Sequence, residues 1–153
     1  MEIIIGKNAG FCYGVKRAVE GSEAEILNQK ENIYCLGELV HNKQVIEGLE
    51  EKGLKFIENI NEVTDKNSTL IIRSHGATNK VYELAKQKEI ELIDYTCPNV
   101  LRIHKLAEKY KQEGYYIFLV GVEAHPETIG TRSYCGENCS LISNEDNIES
   151  AIK

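Results

Sequence analysis

At 153 residues, 42% of them hydrophobic, the chain is long enough to build the core of one ordinary domain or two small α/β modules. Its 18 Lys and Arg against 24 Asp and Glu give a formal charge of -6, which excludes the broad basic field that nucleic acid or an anionic membrane needs and leaves a small anion to a local site. The start MEIIIGKNAG lacks the basic flank and the length of a signal peptide, and no apolar run approaches membrane-spanning length. With five scattered cysteines (Cys12, Cys35, Cys97, Cys135 and Cys139), the expectation is a cytoplasmic protein with free thiols and no disulfide framework.

In chain order, EIII (2–5) reads as a short buried strand, and Val15, Ala18, Val19 and Ile26 set a helix from Tyr13 to Asn28. NIYCLG (32–37) is the next strand, followed by a helix on Val45, Ile46 and Leu49 that stops at Gly53. LKFI (54–57) and STLIIRS (68–74) are strands, and Val81, Leu84 and Ala85 mark the helix after the second. IELIDY (90–95) precedes Pro98, which favours a first helical turn, and that helix runs to Gly114. YYIFLV (115–120) is the clearest strand. GVEAHPETIG reads as a loop entering a short helix, then SLIS as a strand and a weak helix from Asn144. This alternation predicts an α/β fold with a mainly parallel sheet, divided into a first module over 1–96 and a partial second over 97–153.

Cys12, His41, His75, Cys97 and His125 all fall where a predicted strand gives way to a helix. In open α/β sheets ligands bind at that edge, because strand ends leave a crevice and helix N-termini offer unpaired N–H groups. Singly, each is more often a buried small residue or a solvated imidazole; the shared placement points to a site. His104, inside NVLRIHKLAEKY, reads as a boundary residue, and mid-strand Cys35 as core. CGENC (135–139) lacks the second matched pair of common zinc elements.

The glycines around Cys12 in GFCYGV do not make a phosphate-cradling P-loop, since three residues separate Gly10 from Gly14 and Val15 follows. A cysteine-phosphatase loop fails as well, with only four residues between Cys12 and Arg17. What remains is a turn whose glycines clear space for a thiol to approach a bulky partner. Cys97, in TCPNV, lies extended before a proline at a helix N-terminus, a setting that suits a thiolate. Glu127 lies two residues after His125, where a carboxyl group could deliver a proton, or simply favour the helix start.

Taken together and in order, GFCYGV, LVHN, SHGA, DYTCP and HPETIG resemble the 4-hydroxy-3-methylbut-2-enyl diphosphate reductase family. The resemblance covers the whole chain and the N-terminal half of the family pattern. It implies three similar α/β modules around an iron-sulfur cluster, of which the first two are represented here, and reductive dehydroxylation of the substrate to isopentenyl and dimethylallyl diphosphate. It implies Cys12 and Cys97 as ligands of a 4Fe-4S cluster, His41, His75 and His125 as ligands of the substrate diphosphate, and Glu127 as the catalytic proton source. Electrons would come from a ferredoxin or flavodoxin.

In the family pattern the third cluster cysteine lies beyond Lys153, so these 153 residues alone are expected to be inactive. The strand in residues 1–12 would then belong with an absent third module and leave an exposed edge. Thr128 stands where the family usually has an aliphatic residue, and Ser133 about where it has a glycine. The alternative is a non-enzymatic anion- or metal-binding α/β module using the same side chains; a third reading is a structural domain with incidental thiols.

Overall fold

The structure is a computed structural model and describes residues 1–7, 9–28, 32–65, 67–145 and 148–149. Four parallel strands form the main sheet in the order β2-β1-β3-β4: β1 (Ile33–Leu36), β2 (Lys55–Ile57), β3 (Thr69–Ile72) and β4 (Glu91–Asp94). Period-2 alternation divides their side chains between two cores. Tyr34, Leu70 and Ile72 join Ile57, Ile60 and Ala85 on one face, under α3 (Asn79–Gln87) and the 3-10 helix Ile60–Glu62. Ile33, Cys35 and Ile71 point the other way, against Ala18 of α1 (Tyr13–Leu27) and Leu49 of α2 (Lys43–Glu51). With helices on both faces, the central strand β3 is buried along its whole length.

A second sheet pairs β5 (Ile117–Val120) with β6 (Cys139–Ile142), also in parallel. α5 (Pro126–Cys135) connects them and packs on α4 (Pro98–Gln112) and α3. Prolines open both α4 and α5, where a missing N–H costs nothing. α2 closes as the glycine predicts: Gly53 adopts φ +105, and Leu54 N–H reaches back to the Leu49 carbonyl at 3.0 Å. The α/β class and the parallel pairing agree with the sequence reading, and among the described residues no helix is long and apolar enough to cross a membrane.

The expected strand EIII is absent. Residues 1–5 carry no strand, and Ile3, Ile4 and Ile5 are 73%, 84% and 80% exposed. Neither sheet sets a strand beside them, and an apolar run without a pairing partner has no ladder to join. The weak helix expected from Asn144 falls largely outside the described residues.

Candidate functional site

Cys12 is the N-cap residue of α1 and Cys97 that of α4, so both thiols begin helices. The first turns of α1 lie along residues 95–97. A β-carbon at Gly14 would rest 3.4 Å from the Cys97 sulfur. Three positions on, Arg17 Nη2 donates to the Thr96 carbonyl at 2.9 Å. Seven positions on, a β-carbon at Gly21 would run into the Tyr95 ring. Positions 14, 17 and 21 share one helical face, and its two glycines let that face approach the chain leading into Cys97. Cys97 is pinned in turn: its N–H donates to the Ser74 carbonyl at 2.9 Å, while the Thr96 N–H donates to Asp94 Oδ1 at 2.8 Å.

Exposure divides the cysteines. Cys12 is exposed and Cys97 half-buried, whereas Cys35 and Cys135 are 0% and 1% exposed. Burial pushes the Cys35 thiol up to about 12 against the pull of Arg73. Burial, with a hydrogen bond to Cys139, raises Cys135 to about 12 as well. These two pack as neutral thiols, as mid-strand placement predicts for Cys35. Among the described residues no group of three or more His, Cys, Asp or Glu is gathered closely enough to hold a metal ion. The exposed and half-buried thiols at two helix N-termini are of the type that can contribute part of the ligand set of a thiolate-bound metal centre.

The imidazoles come together from three separate junctions. His41 follows β1, His75 follows β3, and His125 is the N-cap of α5. The ring centroids of His41 and His75 are 5.6 Å apart and those of His75 and His125 5.8 Å, so His75 is the middle of the row. Its Nδ1 is buried without a hydrogen-bond partner. Burial depresses the His75 pKa; Arg73 and the flanking imidazoles act in the same direction, and Glu127 opposes them. His125 Nδ1 accepts the Glu127 backbone N–H at 3.2 Å, which leaves Nε2 as its protonated nitrogen in the neutral ring. The middle ring is thus pushed toward its neutral form and keeps one buried nitrogen without a partner.

Three other residues take positions that the sequence reading did not give them. Arg17 ties α1 to Thr96, and the spacing Gly14, Arg17, Gly21 on one face was its available signal. Arg73 donates to the Glu38 carbonyl at 3.0 Å and lines a cleft of about 390 Å³ with Gly37, Gly76, Ala124 and Pro126, beside the loops that carry His75 and His125. His104 is not a boundary residue: it is 3% exposed and stacks on Tyr134 at 4.4 Å. No hydrophobic pattern announces a histidine in the core.

The two departures in HPETIG and its sequel have local partners. Thr128 is buried, with its Oγ1 2.7 Å from where a β-carbon at Gly121 would lie. Ser133 Oγ accepts the Asn79 N–H at 3.1 Å and donates to the Gly130 carbonyl at 2.7 Å. It therefore caps α3 from a neighbouring helix, where the N-cap residue Thr78 makes no side-chain cap of its own.

Helix-covered parallel sheets, with Cys97 and three imidazoles at strand-to-helix junctions and Cys12 at the start of α1, define an α/β protein whose junction edge is where such folds bind ligands. The chain belongs to the LytB protein family, whose model matches residues 3–153. It is 44% identical over 151 residues to the 4-hydroxy-3-methylbut-2-enyl diphosphate reductase of Caldanaerobacter subterraneus subsp. tengcongensis, covering 97% of this chain and 52% of that protein. It superimposes with a TM-score of 0.88 and 36% identity on the E-1-hydroxy-2-methyl-but-2-enyl-4-diphosphate reductase of Plasmodium falciparum, covering 94% of this chain and 45% of that one. A second solved structure, of (E)-4-hydroxy-3-methyl-but-2-enyl diphosphate reductase, the terminal enzyme of the non-mevalonate pathway, gives a TM-score of 0.83 at 38% identity over 98% of this chain and 54% of the other. The chain thus spans about half the length of the relatives it matches.

Proposed function

We propose that these residues form part of the active site of a 4-hydroxy-3-methylbut-2-enyl diphosphate reductase, with residues 1–96 and 97–153 as its first module and part of its second. The observation that carries the reading is the row of three imidazoles, His41, His75 and His125, set 5.6 and 5.8 Å apart from three junctions of one fold. In this reading the row takes the diphosphate. His125 donates from Nε2, and the buried Nδ1 of His75 gains a partner. Binding draws a proton onto His75, because the anion outweighs the burial and the like charges that depress it. A chain of net charge -6 can thereby hold an anion without a standing basic patch.

Cys12 and Cys97 would hold a 4Fe-4S cluster jointly with a thiolate from the remainder of the protein. When bound, that cluster supplies electrons, from a ferredoxin or flavodoxin, and a Lewis-acidic iron for the substrate hydroxyl. Glu127, two residues after His125 in the first turn of α5, delivers the proton that leaves with the hydroxyl as water. The half-buried Glu127 is fixed near His75 by the N-cap at His125.

Two measurements test this reading. Histidine NMR spectra of the chain titrated with inorganic diphosphate should shift for His41, His75 and His125 and stay fixed for His104. Unmoved His41, His75 and His125 signals at millimolar diphosphate would overturn the anion site. In the protein extended to family length, anaerobic turnover should fall at least ~100-fold in Glu127→Gln, the scale of general acid catalysis. Diphosphate binding with no turnover by the extended wild type would favour the non-enzymatic anion-binding module.

A further inference from the structure

We propose that Arg17 is a positioning residue for the thiol pair, fastening the Cys12-bearing helix to the peptide that leads into Cys97 and holding a permanent positive charge there. The inference rests on Cys12 and Cys97 acting together, as proposed above. Arg17 Nη2 donates to the Thr96 carbonyl at 2.9 Å across a sequence separation of 79 residues, and that carbonyl belongs to the peptide bond joining Thr96 to Cys97. The guanidinium also lies 5.8 Å from the centroid of the Tyr95 ring. Cys97 and Tyr95 thus flank the bonded carbonyl, while Gly14 and Gly21 flank Arg17 on the facing helix.

The charge itself is unusual in its setting. Arg17 Nε is buried and has no hydrogen-bond partner, and among the described residues no carboxylate forms an ion pair with the side chain. A half-buried guanidinium in this state is costly unless negative charge lies nearby. Cys12 and Cys97, once they ligate a metal as thiolates, would provide that charge at adjoining helix starts, and an iron centre so held would be more easily reduced beside a fixed cation. A hydrogen bond alone could come from lysine or glutamine; the two functions of Arg17 can therefore be separated by substitution.

The experiment uses the protein extended to family length, loaded anaerobically with iron and sulfide. It compares wild type with Arg17→Lys, Arg17→Gln, Cys12→Ser and Cys97→Ser, reading iron release and reduction potential. Arg17→Gln keeps a donor and removes the charge: iron release should quicken roughly tenfold, the lower end for loss of a supporting residue, and the potential should move to more negative values. Arg17→Lys keeps the charge and should hold the potential near wild type. Wild-type release and potential in Arg17→Gln would overturn the proposal, as would equal impairment of the Gln and Lys variants, which marks a purely structural part. Iron retention at the wild-type level in both cysteine variants would instead overturn the reading of the thiols.

Discussion

Two imidazoles approach the turn after β3, and the chain treats them in opposite ways. His75 belongs to the turn itself, with other imidazole rings at 5.6 and 5.8 Å. His104 reaches the same turn from α4, its Cε1 3.0 Å from where a β-carbon of Gly76 would lie, and stacks on Tyr134. Burial is the leading cause of a depressed pKa in both. The direction of the shift therefore does not separate a ligand group from a packing group; the neighbours do. His75 has two further imidazoles beside it, whereas His104 has a tyrosine ring stacked on it and two buried nitrogens with no hydrogen-bond partner.

Gly76 is where the comparison can be broken most completely. Its φ is +77, and a β-carbon would meet His104 Cε1 at 3.0 Å and Thr96 Cγ2 at 3.1 Å. Gly76→Ala combines left-handed backbone strain with overpacking and should cost about 2–4 kcal/mol of stability, measured by urea unfolding. Because the residue follows His75, the same variant should also weaken diphosphate binding. An unfolding midpoint equal to wild type would show that the turn has room to relax.

Single truncations should then pull the two rings apart. His104→Ala removes a buried ring wedged between α4 and the turn and should cost about 2–4 kcal/mol, with diphosphate affinity changed less than about twofold if the fold is intact. His75→Ala should leave stability within about 1 kcal/mol and weaken diphosphate binding roughly tenfold or more, the worth of a hydrogen bond to a charged group. Calorimetric titration and unfolding of both variants give the four numbers. A loss of affinity in His104→Ala as large as that in His75→Ala would merge the two regions into one site.

How much of this contrast could be read from the sequence depends on what each residue needs. His41, His75, Cys97 and His125 do fall between a strand and the next helix, because such junctions are marked by apolar runs, glycines and prolines; Cys12 also starts a helix, but among the described residues no strand precedes it. EIII forms no strand because local apolarity makes one only when another strand lies beside it, and among the described residues none does; its expected partner module is not in these 153 residues. His104 was misread because its burial depends on α5 and Tyr134, thirty residues further on, and on the missing side chain of Gly130, whose β-carbon would lie 3.4 Å from the ring. Pairwise packing between helices distant in sequence leaves no periodic signature.

Acidity offers a gentler separation. Both rings have pKa values below the ordinary 6.5, so the unfolded chain binds protons that the folded chain refuses. Their stabilising effect is complete above about pH 6.5 and is lost as pH falls through the depressed values. His75→Gln and His104→Gln should each flatten the acid limb of the stability curve. Only His75 should also link protons to the anion: diphosphate affinity should rise as pH falls toward 6.5, and the extra slope should vanish in His75→Gln, which corrects for protonation of the ligand itself. Equal slopes in wild type and variant would remove His75 from the anion site.

The smallest effect lies at Ser133, which stands beside Tyr134 on the packing side of the comparison. Its hydroxyl accepts the Asn79 N–H and donates a hydrogen bond to the Gly130 carbonyl, so one side chain both satisfies the open start of α3 and ties it to α5. In Ser133→Ala that N–H loses its side-chain partner. Stability should fall by about 1 kcal/mol, the usual worth of an N-cap, and amide exchange should quicken most in the first turn of α3. Diphosphate affinity should be unchanged, since α5 still begins at His125 and the imidazole row does not depend on the cap. A shift in affinity without a shift in α3 exchange would mean that Ser133 acts on the anion site through α5 instead, and the boundary between packing region and binding region would have to be redrawn between His125 and Ser133.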